Sequence, residues 1–136
     1  MKALVRSNKG ASKMTEVYPN RVVWAEIPVS DMDRAKAFYE TVLDEPLQMN
    51  TDGPVPMAML PYPGGIGAAG HLHPGKPAKN GEGIRAHLAI FDELDKAMER
   101  VKQGGGEVMS DVITIPAGSY FYAADTEGNT LGIFKI

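Results

Sequence analysis

One stretch of the chain, residues 21–43, constrains the fold most, because a strand pattern runs directly into a helix pattern. Its first part alternates apolar residues with Trp24 and Glu26, the period of two that is typical of a strand with two different faces. Ser30 or Asp31 can cap the helix that follows. Beyond the cap, apolar residues recur at helical spacing: Met32, Ala35, Phe38, Tyr39, Val42 and Leu43. The stretch therefore predicts one strand-helix unit.

The same pattern returns in the second half of the chain, over residues 84–101. Residues 92–97 align without a gap with residues 30–35, and both segments place acidic side chains in the first helical turn, where the helix dipole favours them. These likenesses predict a duplicated chain, with a polar, turn-rich linker at 76–83 between its halves. The alternative is a chance likeness between two amphipathic helices that both begin with acidic residues.

Short apolar runs bounded by glycine and proline predict several strands after each helix. In the first half they cover 47–50, 55–60 and 66–73, and in the second half 107–109, 112–115, 120–124 and 130–136. The turn between the last two strands is the segment 125–129. Residues 1–20 carry no periodic apolar face and are predicted to form a flexible tail.

Composition excludes several classes of function. A chain of 136 residues suits one domain or two half-domains that share a core. The formal net charge of −3 provides no basic stripe for nucleic acid. No apolar run approaches the roughly 20 residues needed to span a bilayer. The absence of cysteine excludes disulfides and thiolate chemistry and fits a cytoplasmic location. We therefore expect a cytoplasmic protein that binds neither nucleic acid nor membrane.

Three segments resemble the vicinal oxygen chelate superfamily, which includes glyoxalases, bleomycin resistance proteins and extradiol dioxygenases. Residues 22–39 resemble its opening strand and helix, residues 88–106 its second helix with a glycine stop, and residues 125–132 its closing turn, here with Thr126 in place of proline. The resemblance implies an α+β fold of two βαβββ modules, 21–75 and 84–136, that form a curled mixed sheet around a cavity with the helices outside. It also implies a homodimer.

Enzymes of this superfamily hold a divalent metal through side chains on the sheet, and the metal acts as a Lewis acid on two neighbouring substrate oxygens. The resemblance places three of the ligand positions on Trp24, Ala86 and Gly132, whose side chains cannot coordinate a metal ion. We therefore expect no metal and no other cofactor. The opening strand instead resembles a glyoxalase-related subgroup of unassigned function, in which a Trp precedes a Glu two residues later.

The remaining polar side chains supply other candidates for a site. Glu26 shares strand parity with Trp24, so we expect it to face the cavity, where a carboxylate beside an indole can act as a general base. The alternative is a structural ion pair between Glu26 and Arg21 or Arg85. His71 and His73 share one face of a predicted strand and, with Glu26, form a fallback metal site. A metal-free position at the rim is the preferred interpretation of both histidines. His87 is predicted to be buried on the helix-facing side of its strand, unless a one-residue bulge exchanges the two faces.

Apolar and aromatic residues on the strands are candidates for a ligand pocket. By alternation Met57 and Met59 share one face, and Tyr120 and Tyr122 share another. The predicted pocket combines Trp24, Met57, Met59, Tyr122 and Phe134.

These observations lead to one functional hypothesis and two alternatives. The chain is expected to hold a small organic molecule in a cavity and, if it is an enzyme, to act as a metal-independent isomerase or lyase with Glu26 as the base. The first alternative is a binding or sequestering protein that resembles the bleomycin resistance proteins and catalyses no reaction. The second is a metal-dependent lyase or dioxygenase with a shifted site.

Overall fold

The computed structural model describes residues 3–5, 15–17, 21–62, 69–79 and 81–135. Its elements in chain order are β1 (Ala3–Val5), β2 (Thr15–Val17), β3 (Ala25–Val29), α1 (Met32–Leu43), β4 (Gln48–Asn50), β5 (Met57–Met59), β6 (Gly70–Pro74), β7 (Ala86–Ile90), α2 (Leu94–Gln103), β8 (Glu107–Val108), β9 (Ile113–Ile115), β10 (Gly118–Ala124) and β11 (Thr130–Lys135). Neither of the helices among these described residues is long and apolar enough to cross a membrane.

The two halves of the chain form two mixed sheets, as the α+β prediction of two modules requires. The first sheet has the order β3-β6-β5-β4, in which β3 and β6 are parallel. The second has the order β7-β11-β10-β8, with β7 parallel to β11 and with β9 also paired to β10. In the described part of the chain, β3 and β7 each have a hydrogen-bonded neighbour on one side only. The sheets therefore do not close into a barrel.

The helices begin and end where their residues require it. The Asp31 side chain accepts a hydrogen bond from Arg34 N at 3.0 Å, which caps α1. Asp44 ends that helix in the left-handed conformation, with φ 57°, just before Pro46. In the glycine stop after α2, Gly105 adopts φ 92°, which its missing Cβ permits.

The core lies between the helices and one face of each sheet. In α1 the residues predicted for the apolar face are buried or half-buried. Ile27 and Val29 of β3 also lie in this core, while Glu26 lies on the opposite face, as alternation along the strand predicts. Each sheet consequently has one face against helices and one face available for a site.

The predicted elements match the structure more closely in the second half than in the first. The strand predicted over 55–60 is reduced to β5, because Pro54 and Pro56 have no N–H to donate to the ladder. Part of the strand predicted over 66–73 lies outside the described residues, and its remainder is β6. Within the tail predicted to be flexible, β1 and β2 instead pair in antiparallel fashion; the rest of residues 1–20 lies outside the described residues.

The turn at 125–129 links the second module to the first. The Asp125 carboxylate accepts hydrogen bonds from the backbone of Glu127 and Asn129, both at 2.8 Å, which fixes the turn. Tyr39 on α1 donates its hydroxyl hydrogen to the same carboxylate at 2.6 Å. The Asn129 side chain donates to the carbonyl of Pro28 in β3 at 2.9 Å. Asp125 and Asn129 of this turn therefore join the second module to the first.

Glu127 completes this link at the N-terminus of α1. Its carboxylate accepts from the backbone of Ser30 at 3.0 Å and of Asp31 at 2.9 Å, and from Arg34 Nε at 2.7 Å. Burial alone would raise the pKa of this carboxyl group. The hydrogen bonds from Arg34, Thr126, Ser30 and Asp31 outweigh burial and lower the pKa from 4.5 to about 2. The charged form of Glu127 is thus part of the folded structure at neutral pH.

Candidate functional site

A cleft of about 1260 Å³ opens between the first strands of the two modules, β3 and β7. Trp24 and Glu26 line it on one side, and Arg85 and His87 line it on the other. Tyr62 contributes from the loop after β5. The cleft is larger than a typical ligand pocket, but it lies between two structural units, where small-molecule sites commonly occur.

Three side chains of the first module meet beside this cleft, of which Trp24 and Glu26 line it and the buried His71 does not. The strand register places His71 of β6 directly beside Glu26 of β3. The indole N–H of Trp24 donates a hydrogen bond to His71 Nδ1 at 3.1 Å, and the two rings lie 5.7 Å apart. His71 Nε2 lies 3.9 Å from Glu26 Oε1, which is close but longer than a hydrogen bond. We call these three residues the Trp-His-Glu cluster.

The hydrogen bond from Trp24 determines which nitrogen of His71 carries the proton. Because Nδ1 accepts from the indole, the neutral ring has its proton on Nε2, the nitrogen that lies 3.9 Å from Glu26 Oε1. His71 is only 7% exposed, whereas the Glu26 side chain is 67% exposed and accessible from the cleft. The cluster thus combines a fixed hydrogen-bond donor with an accessible carboxylate.

The structure corrects the prediction that both histidines lie at a solvent-exposed rim. They share one sheet face as predicted, with ring centroids 5.6 Å apart. His71, however, is buried, because the parallel strand β3 and the side chain of Trp24 cover it. His73 is half-buried, and its Nδ1 has no hydrogen-bond partner among the described residues. Only its neighbour His71 joins the Trp-His-Glu cluster.

His87 does not lie on the helix-facing side of its strand, so that prediction is wrong. The assignment of the cavity-facing position to Ala86 is wrong as well. Pairing with β11 places Ala86 beside the buried Leu131, and His87 beside Gly132 on the opposite face. The connection from β7 to α2 covers residues 91–93, whereas that from β3 to α1 covers residues 30–31. This one-residue difference reverses the strand parity expected from the gapless alignment of the helices.

His87 stands among aromatic rings of the second sheet. Its centroid lies 4.9 Å from that of Tyr120, 5.8 Å from that of Tyr122 and 6.1 Å from that of Phe134, in edge-to-face arrangements. The rings of Tyr120 and Phe134 are stacked at 5.8 Å. We call these four side chains the ring surface.

The guanidinium of Arg85 lies over one member of the ring surface, 4.7 Å from the centroid of the Tyr122 ring. Partial burial lowers the pKa of His87 below its ordinary value, and the positive charge of Arg85 lowers it further. His87 is therefore neutral at pH 7, and Arg85 supplies positive charge beside the ring surface.

The predicted pocket residues divide between the two sheets. Trp24 belongs to the Trp-His-Glu cluster, and the half-buried Met59 pairs with His71 in the sheet register. Met57 lies further along the same face of β5. Tyr122 and Phe134 belong to the ring surface. Only Trp24 among the five lines the cleft, and the binding role of all five stays a prediction. The hydrogen bond from Trp24 to His71 and the contact of Arg85 with Tyr122 were not predicted from the sequence.

The side chains present do not fit the metal site that the superfamily resemblance implies. Trp24 uses its one polar hydrogen on His71. A side chain at Gly132 would overlap the His87 ring, which occupies that space. In the described parts of the chain, no three His, Cys, Asp or Glu side chains converge into a set that could hold a metal ion. The fallback site of His71, His73 and Glu26 stays an untested prediction.

Comparison with known proteins agrees with the fold. The sequence profile of the Glyoxalase/Bleomycin resistance protein/Dioxygenase superfamily matches residues 21–133. A glyoxylase-like domain-containing protein of Didymella fabae is 31% identical over 118 residues, which cover 79% of this chain and 88% of the relative.

Solved structures show the same architecture. A glyoxalase/bleomycin resistance protein from Albidiferax ferrireducens T118 superposes with a TM-score of 0.63 at 19% identity and covers 86% of this chain and 100% of its own. A glyoxalase-related enzyme from Clostridium phytofermentans gives a TM-score of 0.58 at 22% identity, over 87% of this chain and 96% of its own. At these identities the likeness concerns the fold.

Proposed function

Because the chain belongs to the Glyoxalase/Bleomycin resistance protein/Dioxygenase superfamily, we propose that it binds a small carbonyl compound in the cleft between its modules and transfers a proton on it without a metal. The observation that carries this proposal is the Trp-His-Glu cluster, in which a carboxylate and a fixed N–H donor lie 3.9 Å apart. Isomerase or lyase chemistry is the reaction class that this pair suits.

Glu26 is the base in this proposal. Its carboxylate removes a proton from the carbon next to the substrate carbonyl, and the C–H electron pair forms the double bond of an enolate. His71 Nε2–H donates a hydrogen bond to the carbonyl oxygen, on which negative charge develops. With a β,γ-unsaturated carbonyl compound, return of the proton from Glu26 to the γ-carbon of the dienolate completes an isomerisation. With a leaving group on the β-carbon, the enolate electrons expel that group to form a carbon–carbon double bond, and Glu26 passes its proton to the leaving group or to water.

Trp24 is a positioning residue for this step. Without its N–H bond, the proton of a neutral His71 could move to Nδ1, and Nε2 would then be unable to donate to an oxygen. The spacing of 3.9 Å between Nε2 and Oε1 allows the two groups to contact neighbouring atoms of one substrate.

The test is exchange of solvent deuterium into carbonyl compounds with an acidic C–H bond, followed by proton NMR. Phenylpyruvate and a panel of short oxo acids are suitable probes. We expect exchange above the buffer rate, a loss of about 100-fold or more in Glu26→Gln, and little change in Glu107→Gln, whose exposed side chain lies on β8. Compounds that bind but do not exchange faster than in buffer would contradict proton transfer.

The second candidate is a protein that binds and sequesters its ligand without reaction. The 67% exposure of the Glu26 side chain favours it, because a base in open solvent gains little from the site. A sequestering protein would bind the same compound equally well before and after Glu26→Gln and would never accelerate exchange.

Two further expectations concern the whole protein rather than the site. The superfamily resemblance favours a homodimer, which sedimentation velocity would detect as a species of twice the 14.7 kDa chain mass. The lack of cysteine favours a cytoplasmic location, which cell fractionation would test.

A further inference from the structure

The ring surface lies on the face of the second sheet opposite the buried core. Its three carbocyclic members are half-buried, and His87 is exposed at the centre of the group. Arg85 and His87 also line the cleft that contains Glu26. Arg85 and His87 therefore join the cleft to the ring surface, whose other three members, Tyr120, Tyr122 and Phe134, lie outside the cleft lining.

The charges beside the ring surface favour an anion. The pKa of His87 is lowered, so its ring is neutral at pH 7. A hydrogen bond to Tyr122 raises the pKa of Tyr120, so its phenol stays protonated. Arg85 remains charged and lies against the ring of Tyr122. A carboxylate would pair with this guanidinium, whereas a cationic ligand would meet a ring face that a cation already occupies.

Gly132 shows that the position of His87 depends on the absence of a side chain beneath it. The imidazole packs directly onto the backbone of Gly132, in space that any Cβ would fill. The same position is one at which the superfamily resemblance places a metal-binding carboxylate. In this chain the His87 ring fills that space, so the position supplies no carboxylate and the imidazole joins the aromatic rings around it.

We propose that the ring surface and Arg85 bind a planar aromatic carboxylate. The inference rests on the proposed function only in that it names the substrate class for the same cleft. The aromatic part stacks on the ring surface, its carboxylate pairs with Arg85, and the reactive end of the molecule points toward Glu26. An aromatic oxo acid combines all of these features.

Binding of naphthoate, followed by isothermal titration calorimetry and by NMR of the His87 ring, tests the inference without requiring turnover. We expect naphthoate to bind roughly fivefold more tightly than cyclohexanecarboxylate, because only the former can stack. Naphthylmethylammonium should not bind. Arg85→Gln should weaken naphthoate binding by about tenfold or more, whereas Lys96→Gln, on the exposed side of α2, should leave it unchanged.

Three outcomes would overturn the inference: equal binding of the carboxylate and the ammonium compound, equal binding of naphthoate and cyclohexanecarboxylate, or unchanged naphthoate affinity in Arg85→Gln. Tyr122→Leu is an independent test of the inference. It removes the ring under Arg85 without changing charge and should also weaken naphthoate binding. Failure of the proposed function gives a different pattern. In that case naphthoate still binds, Glu26→Gln leaves its affinity unchanged, and no compound exchanges faster than in buffer.

Discussion

Replacement of Glu127 by Gln should destabilise the fold at neutral pH and much less in acid. The lowering of its pKa from 4.5 to about 2 corresponds to about 3 kcal/mol of stabilisation by the charged form. The Glu127 side chain is fully buried, but its partner Arg34 is half exposed and partly screened by water. We therefore expect Glu127→Gln to reduce the free energy of unfolding at pH 7 by about 2 kcal/mol.

The pH dependence of this loss identifies its cause. A carboxyl group with a lowered pKa in the folded state stabilises the fold fully above its unfolded value, near pH 4.5, and that contribution disappears as the pH falls toward about 2. The difference between wild type and Glu127→Gln should therefore shrink over this interval. Urea denaturation followed by circular dichroism at a series of pH values measures it, with Glu107→Gln as an exposed control. A difference that stays constant down to acid pH would refute the electrostatic explanation.

Three further predictions concern other contacts. Gly132→Ala should push His87 out of place and cost about 1–3 kcal/mol of stability, measured by urea denaturation; an unchanged His87 NMR signal would contradict it. Tyr39→Phe should cost about 1–3 kcal/mol, because it removes a buried hydrogen bond to Asp125. If Tyr39→Phe lowers the free energy of unfolding by the same amount in an Asp125→Asn background as in the wild type, that result would argue against the bond. His87 should titrate below its ordinary pKa of 6.5 in an NMR pH series, and Arg85→Gln should move the midpoint upward, since burial and the Arg85 charge both lower it.

Local periodicity was sufficient to predict both helices and most strands. The face of α1 that carries Ala35, Phe38 and Val42 is buried as predicted, because helix packing follows a spacing that is readable in the sequence. The outward position of Glu26 follows from alternation along β3 in the same way. The type of each element, and the face on which a residue lies within one element, therefore followed from the sequence.

The candidate site was harder to predict because its contacts join distant parts of the chain. His71 is buried through its pairing with β3 and its hydrogen bond to Trp24, and neither contact has a local signal. His87 was assigned to the wrong face because one extra residue before α2 reverses the strand parity. Aligning the ends of the strands, rather than the starts of the helices, would have placed it correctly.

The closing turn shows a motif whose structural role is clear only in the fold. The sequence indicated a turn at 125–129 and a family likeness. The structure shows that Glu127 binds the N-terminus of α1 and that Asn129 binds β3. These contacts cross between modules, so the stability of the motif and the geometry of the cleft depend on each other.

The most direct test of the central claim is the deuterium exchange rate of chelator-treated protein, measured before and after addition of Ni²⁺, Mn²⁺ or Zn²⁺. If Glu26 removes the proton and His71 stabilises the enolate without a metal, the chelated protein exchanges deuterium into the substrate at its full rate, and added metal changes nothing. Exchange that appears only on adding back one of these ions, together with stoichiometric binding of that ion, would contradict the account.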